Sequence, residues 1–316
     1  MSRIQLDEGP DAGMTWHFGQ PLIEQRTMAA GAGAVLLSSR EFFTVTGEQR
    51  LSWLHTLTTQ ALGSLQPGQG ADALVLSPTG QIVHGFGLLD DGSTAWCWTE
   101  PGGRESLVGW LESMKFWTPV EIASRDDLRL WWLGREVSAP AEAVAARPGA
   151  VAGGSWAILP GPTDAMETIE AMETTETGQW AFEALRIAEG TPRIGLDTDA
   201  KTLPNELGLF ATALDKGCYP GQETVARVHT LGRPPRRLVR LLFDGDLPQP
   251  GAEIILNDRV VGRVGTVAQH FELGPVGLAL VKRSVPVNAT LVVDGIAAAQ
   301  EALVDPEVGE HFRPQL

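Results

Sequence analysis

A chain of 316 residues, 43% hydrophobic and 20% charged, is long for one core and too apolar to be disordered, so two or three globular domains are expected. Its 24 Lys and Arg stand against 39 Asp and Glu, and a net charge of −15 has the wrong sign for a general binder of nucleic acid or of anionic membrane. With Cys97 and Cys218 as the only cysteines there is no disulfide framework, and a polar, acidic start without any apolar run of about 18 residues leads us to expect a cytoplasmic protein with no membrane partner.

In chain order, Leu51, Leu54, Leu57, Ala61 and Leu62 recur at helical spacing after Thr46-Gly47, which predicts an amphipathic helix over 47–62. Strands at 71–76, 81–89 and 93–99, separated by Ser77-Pro78-Thr79-Gly80 and Asp90-Asp91-Gly92, form a meander. A helix over 102–114 and strands at 120–123 and 128–133 complete an α+β region with an antiparallel sheet. Residues 138–155, rich in Ala, Gly and Pro, and the acidic 161–178 that includes Asp164 read as surface connections, the second with the option of a solvated helix. Another helix is expected at 179–189, followed by turn residues from Gly190 to Gly221. From Arg237 the texture is β, with strands at 238–243, 253–256, 260–267 and 277–281, so residues 237–316 are expected to form a separate small barrel or sandwich and residues 1–236 the rest.

The most informative stretch is Lys216-Gly217-Cys218-Tyr219-Pro220-Gly221-Gln222-Glu223. Two glycines let the backbone fold closely around one thiol, Pro220 fixes φ just after it, and Lys216 can favour a thiolate electrostatically. A lone cysteine is ordinarily a small buried hydrophobe, and Cys97, between Trp96 and Trp98 in an apolar run, fits that reading. Cys218 is built to be presented.

That octapeptide, completed by Ala226-Arg227, resembles at every fixed position the signature of the YgfZ family of folate-binding proteins, relatives of the glycine-cleavage T-protein that act in iron-sulfur cluster assembly and repair. The likeness continues upstream through Leu185-Arg186-Ile187-Ala188-Glu189-Gly190-Thr191-Pro192 and Leu203-Pro204-Asn205-Glu206, and more weakly through Val45-Thr46-Gly47, Trp53-Leu54-His55, Leu57-Thr58-Thr59 and Pro67-Gly68. The resemblance implies two α+β subdomains interleaved in sequence and a C-terminal β-barrel, arranged as a ring around a folate pocket. It also implies a tetrahydrofolate-binding accessory protein for iron-sulfur enzymes, with Cys218 and Lys216 at the chemical centre, Tyr219 framing the thiol, Gln222 and Glu223 stabilising the loop, and Arg227 as a nearby positive charge. A cluster, if one binds, is transient, and the partners are folate and client or assembly proteins. The alternative is a one-carbon transferase like the T-protein itself.

Two departures bear on that alternative. The aspartate pair that follows the first turn of the T-protein sheet corresponds here to His84 and Gly85, so the reacting carboxylate is absent, and the folate-binding Glu of the T-protein is displaced by one place to Glu189. His84 reads as a proton carrier or, more simply, as a hydrogen-bonded structural histidine. Trp180 and Phe182 are the candidates for stacking on a pterin ring, most of the ten tryptophans being expected in the core. His229, eleven residues after Cys218, would complete a Cys-His pair if the loop folds back. Five arginines, Arg227, Arg233, Arg236, Arg237 and Arg240, fall within 14 residues and read as a solvated face or as an anion site for the glutamate tail of a folate. No spacing supports a resident metal.

Overall fold

The structure, a computed structural model, describes residues 3–161 and 165–308. Its contacts divide the chain into two compact units that interleave along the sequence. The first holds the residues up to Thr56, then Ala61–Ala73 and His84–Leu185, and the second holds Leu57–Gln60, Leu74–Val83 and the chain from Arg186 onward.

The elements run β1 (Ile4–Gln5), β2 (Thr15–His17), α1 (Pro21–Ala29), β3 (Ala34–Leu37), β4 (Glu41–Thr46), α2 (Arg50–Leu57), β5 (Gly70–Leu76), β6 (Ile82–Asp90), β7 (Thr94–Thr99), α3 (Arg104–Met114), β8 (Glu121–Arg125), β9 (Leu128–Leu133), β10 (Ala145–Pro148), β11 (Ser155–Pro160), α4 (Ala165–Ala171) and α5 (Gln179–Glu189). A five-stranded sheet has the order β5-β6-β7-β4-β8, and a four-stranded sheet the order β10-β11-β9-β3. Both are antiparallel in the pairings of β4 with β7 and β8 and of β9 with β3 and β11. Phe42, Phe43, Thr44 and Val45 of β4 are all buried, which is why this strand reads as a continuous apolar run and not as an alternation. Leu107 and Leu111 of α3, four residues apart, supply its buried face.

Two polar devices lock the first unit. The buried Glu24 carboxylate accepts from the backbone N–H of Phe18 at 2.9 Å and of Gly178 at 2.8 Å, and the buried Arg50 guanidinium grips Asp90 through two bonds of 2.7 Å. Such bonds between ionised or charge-bearing partners are stronger than neutral ones.

Two boundaries differ from the sequence reading. The expected helix over 47–62 is only α2, because Thr59 leaves the helical path: its N–H donates to Leu74 O at 2.9 Å and its hydroxyl to Ala211 O at 2.6 Å. A β-branched residue with a competing hydroxyl is a natural stop. Residues 145–148, read as part of a surface connection, form the edge strand β10 with Ala145 and Arg147 buried. The acidic segment does contain a helix, α4, while Asp164 lies outside the described residues.

In the second unit a turn of 3-10 helix (Pro204–Leu207) precedes α6 (Gln222–Leu231), which the sequence reading left unassigned. Its apolar positions, Val225 and Val228, are few, and Gly, Pro and Thr around them masked the period. Then follow β12 (Arg236–Phe243), β13 (Glu253–Leu256), β14 (Arg259–His270), β15 (Gly274–Lys282), β16 (Leu291–Val293) and β17 (Ile296–Ala302), closed as a barrel in the order β12-β15-β14-β13-β16-β17. The choice between barrel and sandwich is thus resolved in favour of the barrel, whose last two strands, short or rich in alanine, carried little β signal. Asn257 and Asp258 both adopt positive φ between β13 and β14, as a two-residue hairpin turn requires. Val239, Leu241, Ile254, Ala279, Val281 and Leu291 fill the interior.

Candidate functional site

Cys218 is exposed and Cys97 is completely buried, and the cause is local. Cys97 lies on β7, opposite Phe43 of β4, where burial and the nearby Asp90 charge push its thiol well above the usual cysteine range. Cys218 stands in the loop four residues ahead of α6, and a Cβ placed on its neighbour Gly217 would meet no other atom within 4 Å. The space beside Gly217 is open.

The rest of the loop is held firmly, from segments far away in sequence. Lys216 donates to the carbonyl of Thr58, and its ammonium lies 4.8 Å from the centroid of the Tyr219 ring. Burial lowers the Lys216 pKa to about 8. Ala213 N–H donates to Thr59 O at 3.0 Å, so two neighbouring carbonyls of the 57–60 segment are bonded to the loop and its approach. On the far side Gly221 adopts φ +80 and packs against the 77–80 turn: a Cβ there would lie 2.5 Å from Ser77 O and 3.0 Å from Gly80 Cα. Gly80 is equally confined, its position 2.7 Å from Thr224 were a Cβ added. Glycine at both contacts is what lets the turn and the start of α6 touch.

Gln222 accepts from the Tyr219 N–H at 3.3 Å, which closes the loop on itself, and Tyr219 is 9% exposed, with its hydroxyl pushed up by burial. Glu223 and Arg227 point outward from α6 and are exposed. Two residues that sequence reasoning matched without giving them a task prove structural. Asn205 donates to Val225 O at 3.1 Å, anchoring α6, and the fully buried Glu206 accepts from Leu203 N–H at 3.0 Å and from Arg236 at 2.8 Å. Thr58 and Thr59, the other missed supports, carried a signal only in the weak Leu57-Thr58-Thr59 match.

The arginine cluster needs correction. Arg236 bonds Asp199 and Glu206, Arg240 bonds Glu301 and the Ala188 carbonyl, and Arg237 is fully buried inside the barrel wall, where it donates to Val285 O at 2.8 Å and Gln300 Oε1 at 3.0 Å. Only Arg227 and Arg233 are exposed, so the cluster is neither a solvated face nor a common anion site. Burial also lowers the Arg237 pKa.

The pterin candidates separate. Phe182 is 3% exposed and meets the Trp156 ring edge-on at 5.8 Å, which leaves it no open face; it is a core residue. Trp180 is half-buried and stacks on Trp16 at 5.6 Å, and its indole N–H, like both amide atoms of the buried Gln179, has no protein partner. Fewer tryptophans lie in the core than expected: Trp53, Trp98, Trp131 and Trp132 are buried, Trp16, Trp96, Trp110, Trp156 and Trp180 are half-buried, and Trp117 is 99% exposed. Glu189, at the end of α5, is exposed. His84 on β6 is half-buried, with its pKa lowered by that burial. His229 on α6 lines a small cavity of about 40 Å³ with Asn205, Leu209 and Pro234. Among the described residues no group of three or more His, Cys, Asp or Glu is arranged to hold a metal, and no helix is long and apolar enough to cross a membrane.

Known proteins place this geometry. Residues 236–303, the barrel, match the family described as CAF17, C-terminal beta-barrel domain. The crystal structure of glycine cleavage system aminomethyltransferase T from Bartonella henselae superposes with a TM-score of 0.79, covering 96% of this chain and 94% of that one at 17% identity. A protein named tRNA-modifying protein YgfZ from Colwellia psychrerythraea is 32% identical over 101 residues, 30% of this chain and 31% of the relative. The chain has the fold of the T-protein, and its barrel is of the CAF17 C-terminal kind. A second relative, named putative transferase At1g60990, chloroplastic, from Arabidopsis thaliana, is 27% identical over 274 residues, 73% of this chain. The chain spans 62% of the length of that plant protein.

Proposed function

We propose that the protein is a tetrahydrofolate-binding accessory factor for the assembly or repair of iron-sulfur enzymes, acting through Cys218. The observation that carries this reading is the exposed thiol on a loop clamped from both sides by residues 58–59 and 77–80. A loop so constrained holds a nucleophile or ligand in one place, which a merely exposed cysteine does not need. The T-protein fold and the YgfZ-named relative support the folate and accessory parts of the reading. Cys218 acts on the sulfur or iron of a client as its substrate, with Tyr219 and Lys216 framing the thiol; Gln222 and Glu223 hold the loop, and Arg227 supplies exposed charge beside it. For the folate, Trp180 offers a half-buried ring and Glu189 an exposed carboxylate. Phe182 is not retained in this role.

The test is a Cys218→Ala strain in which activities of iron-sulfur enzymes are assayed beside enzymes without clusters. Selective loss of the former is expected, and unchanged activities would refute the reading. Separately, a reduced folate that binds only the folded protein should raise stability by about 2.7 kcal/mol at 100 times its dissociation constant. The second reading, a one-carbon transferase, is favoured by the plant relative's name, and is opposed by His84 and Gly85 standing where a transferase needs a carboxylate. An assay of one-carbon transfer to tetrahydrofolate separates the two.

A further inference from the structure

An open cleft of about 490 Å³ lies within the second unit, between the 196–201 segment and the outer face of the barrel at β14 and β15. Its volume is that of a small-molecule site. Four cations line it, Lys201, Arg236, Arg263 and Lys282, against two carboxylates, Asp197 and Asp199. The carboxylates are already engaged: Asp197 is sealed against Arg186 at 3.0 Å and accepts from Thr266, and Asp199 is paired with Arg236 at 2.7 Å. Lys201, Arg263 and Lys282 are exposed and have no carboxylate partner among the described residues, and Glu253, which faces Arg263 across the strands, forms no ion pair with it.

The register makes this more than a chance sprinkling of surface charge. Arg236 and Lys282 are direct cross-strand partners, and Arg263 is opposite Leu280, two residues along the same face from Lys282. Arg236 is offset by Asp199 and Glu206, but Lys282 and Arg263 on adjoining positions of the same face have no such carboxylate, and like charges so placed weaken a sheet unless an anion relieves them. Both are also oriented in advance. Lys282 donates to Val260 O at 2.8 Å and Arg263 to Gly251 O at 2.9 Å, each keeping further N–H donors for a ligand. All this occurs in a chain of net charge −15, where a locally basic cleft is unexpected.

We propose that this cleft binds a small ligand carrying two or more phosphate or carboxylate groups, held by Lys201, Arg263 and Lys282. Isothermal titration of the full chain with pyrophosphate and, separately, with triglutamate tests it and distinguishes a phosphorylated from an oligocarboxylate ligand. At least one probe should bind, with affinity falling as salt rises, because exposed charges are screened over about 8 Å at physiological ionic strength. Arg263→Gln combined with Lys282→Gln keeps a donor for each carbonyl and should weaken binding at least about tenfold, which corresponds to about 1.4 kcal/mol. Lys201→Gln, on the exposed segment, should weaken it severalfold and provides the reading if the double variant unfolds. Failure of both probes to bind at millimolar concentration, or binding that these substitutions leave unchanged, overturns the proposal.

Discussion

Gly221→Ala is the sharpest probe of how the cysteine loop is held. Its backbone sits at φ +80, a left-handed conformation that costs an L-residue about 1–2 kcal/mol. The added Cβ would also lie 2.5 Å from Ser77 O and 3.0 Å from Gly80 Cα, both backbone atoms that cannot rotate aside. Overpacking of this kind costs about 1–3 kcal/mol more. Together these predict a loss of about 2–5 kcal/mol, or a melting point lower by roughly 5–15 °C for a unit of this size. Gly217→Ala is the control: its φ is not positive, nothing lies within 4 Å, and the change should stay within about 0.5 kcal/mol. Thermal unfolding followed by circular dichroism, with the rate of Cys218 alkylation in the folded protein as a second readout, measures both. If Gly221→Ala melts within about 1 °C of the parent, or if the two alanine variants behave alike, the clamp at the 77–80 turn does not exist as described.

Three further expectations follow. Arg237→Ala should destabilise the barrel by about 3 kcal/mol or more, since it leaves the carbonyls of Arg283 and Val285 and the amide oxygen of Gln300 without their donor; chemical denaturation checks it, and an unchanged midpoint refutes it. Lys216, with its folded pKa lowered to about 8 from 10.5, leaves the unfolded chain binding more protons between those values, so its contribution to stability should rise with pH from about 8 to 10.5; a Lys216→Gln variant should lose that slope when melting is compared across the window. A limiting amount of iodoacetamide should label Cys218 and spare Cys97 in the native protein, as read by peptide mapping, and labelling of Cys97 first would contradict the buried β7 position.

The sequence disclosed what depends on local chemistry. The meander of β5 to β7, the helix α5 and the barrel's onset near Arg237 follow from periodicity and turn residues, and the exposure of Cys218 follows from its glycine neighbours. What stayed hidden depends on partners remote in sequence. Nothing local in Arg-Arg at 236–237 announces that one side chain bridges Asp199 and Glu206 while the next is swallowed by the barrel; strand alternation sends neighbours to opposite faces, and only the closed register says which face is inside. Phe182 looked available for stacking because an aromatic residue near a family motif carries no mark of the Trp156 ring that covers its edge. The α6 helix was obscured by its own start, where Pro220 and Gly221 read as a turn and are one, immediately before the helix begins.

The interleaving of the units has a kinetic meaning. The bond from Lys216 to Thr58 spans 158 residues, and the turn that confines Gly221 comes from residues 77–80, so the loop that displays Cys218 is assembled from the first and last thirds of the chain. Closing so long a separation is slow and comes after local elements have formed. A fragment beginning at Arg186 would contain the cysteine, α6 and the whole barrel, yet it would lack both clamps. Its thiol should be alkylated faster and with less selectivity than that of the intact chain, and addition of an N-terminal fragment ending near Leu185 should restore the slower rate. Maturation of the thiol would then report that the early segments 57–60 and 77–80 have docked on the loop that carries it.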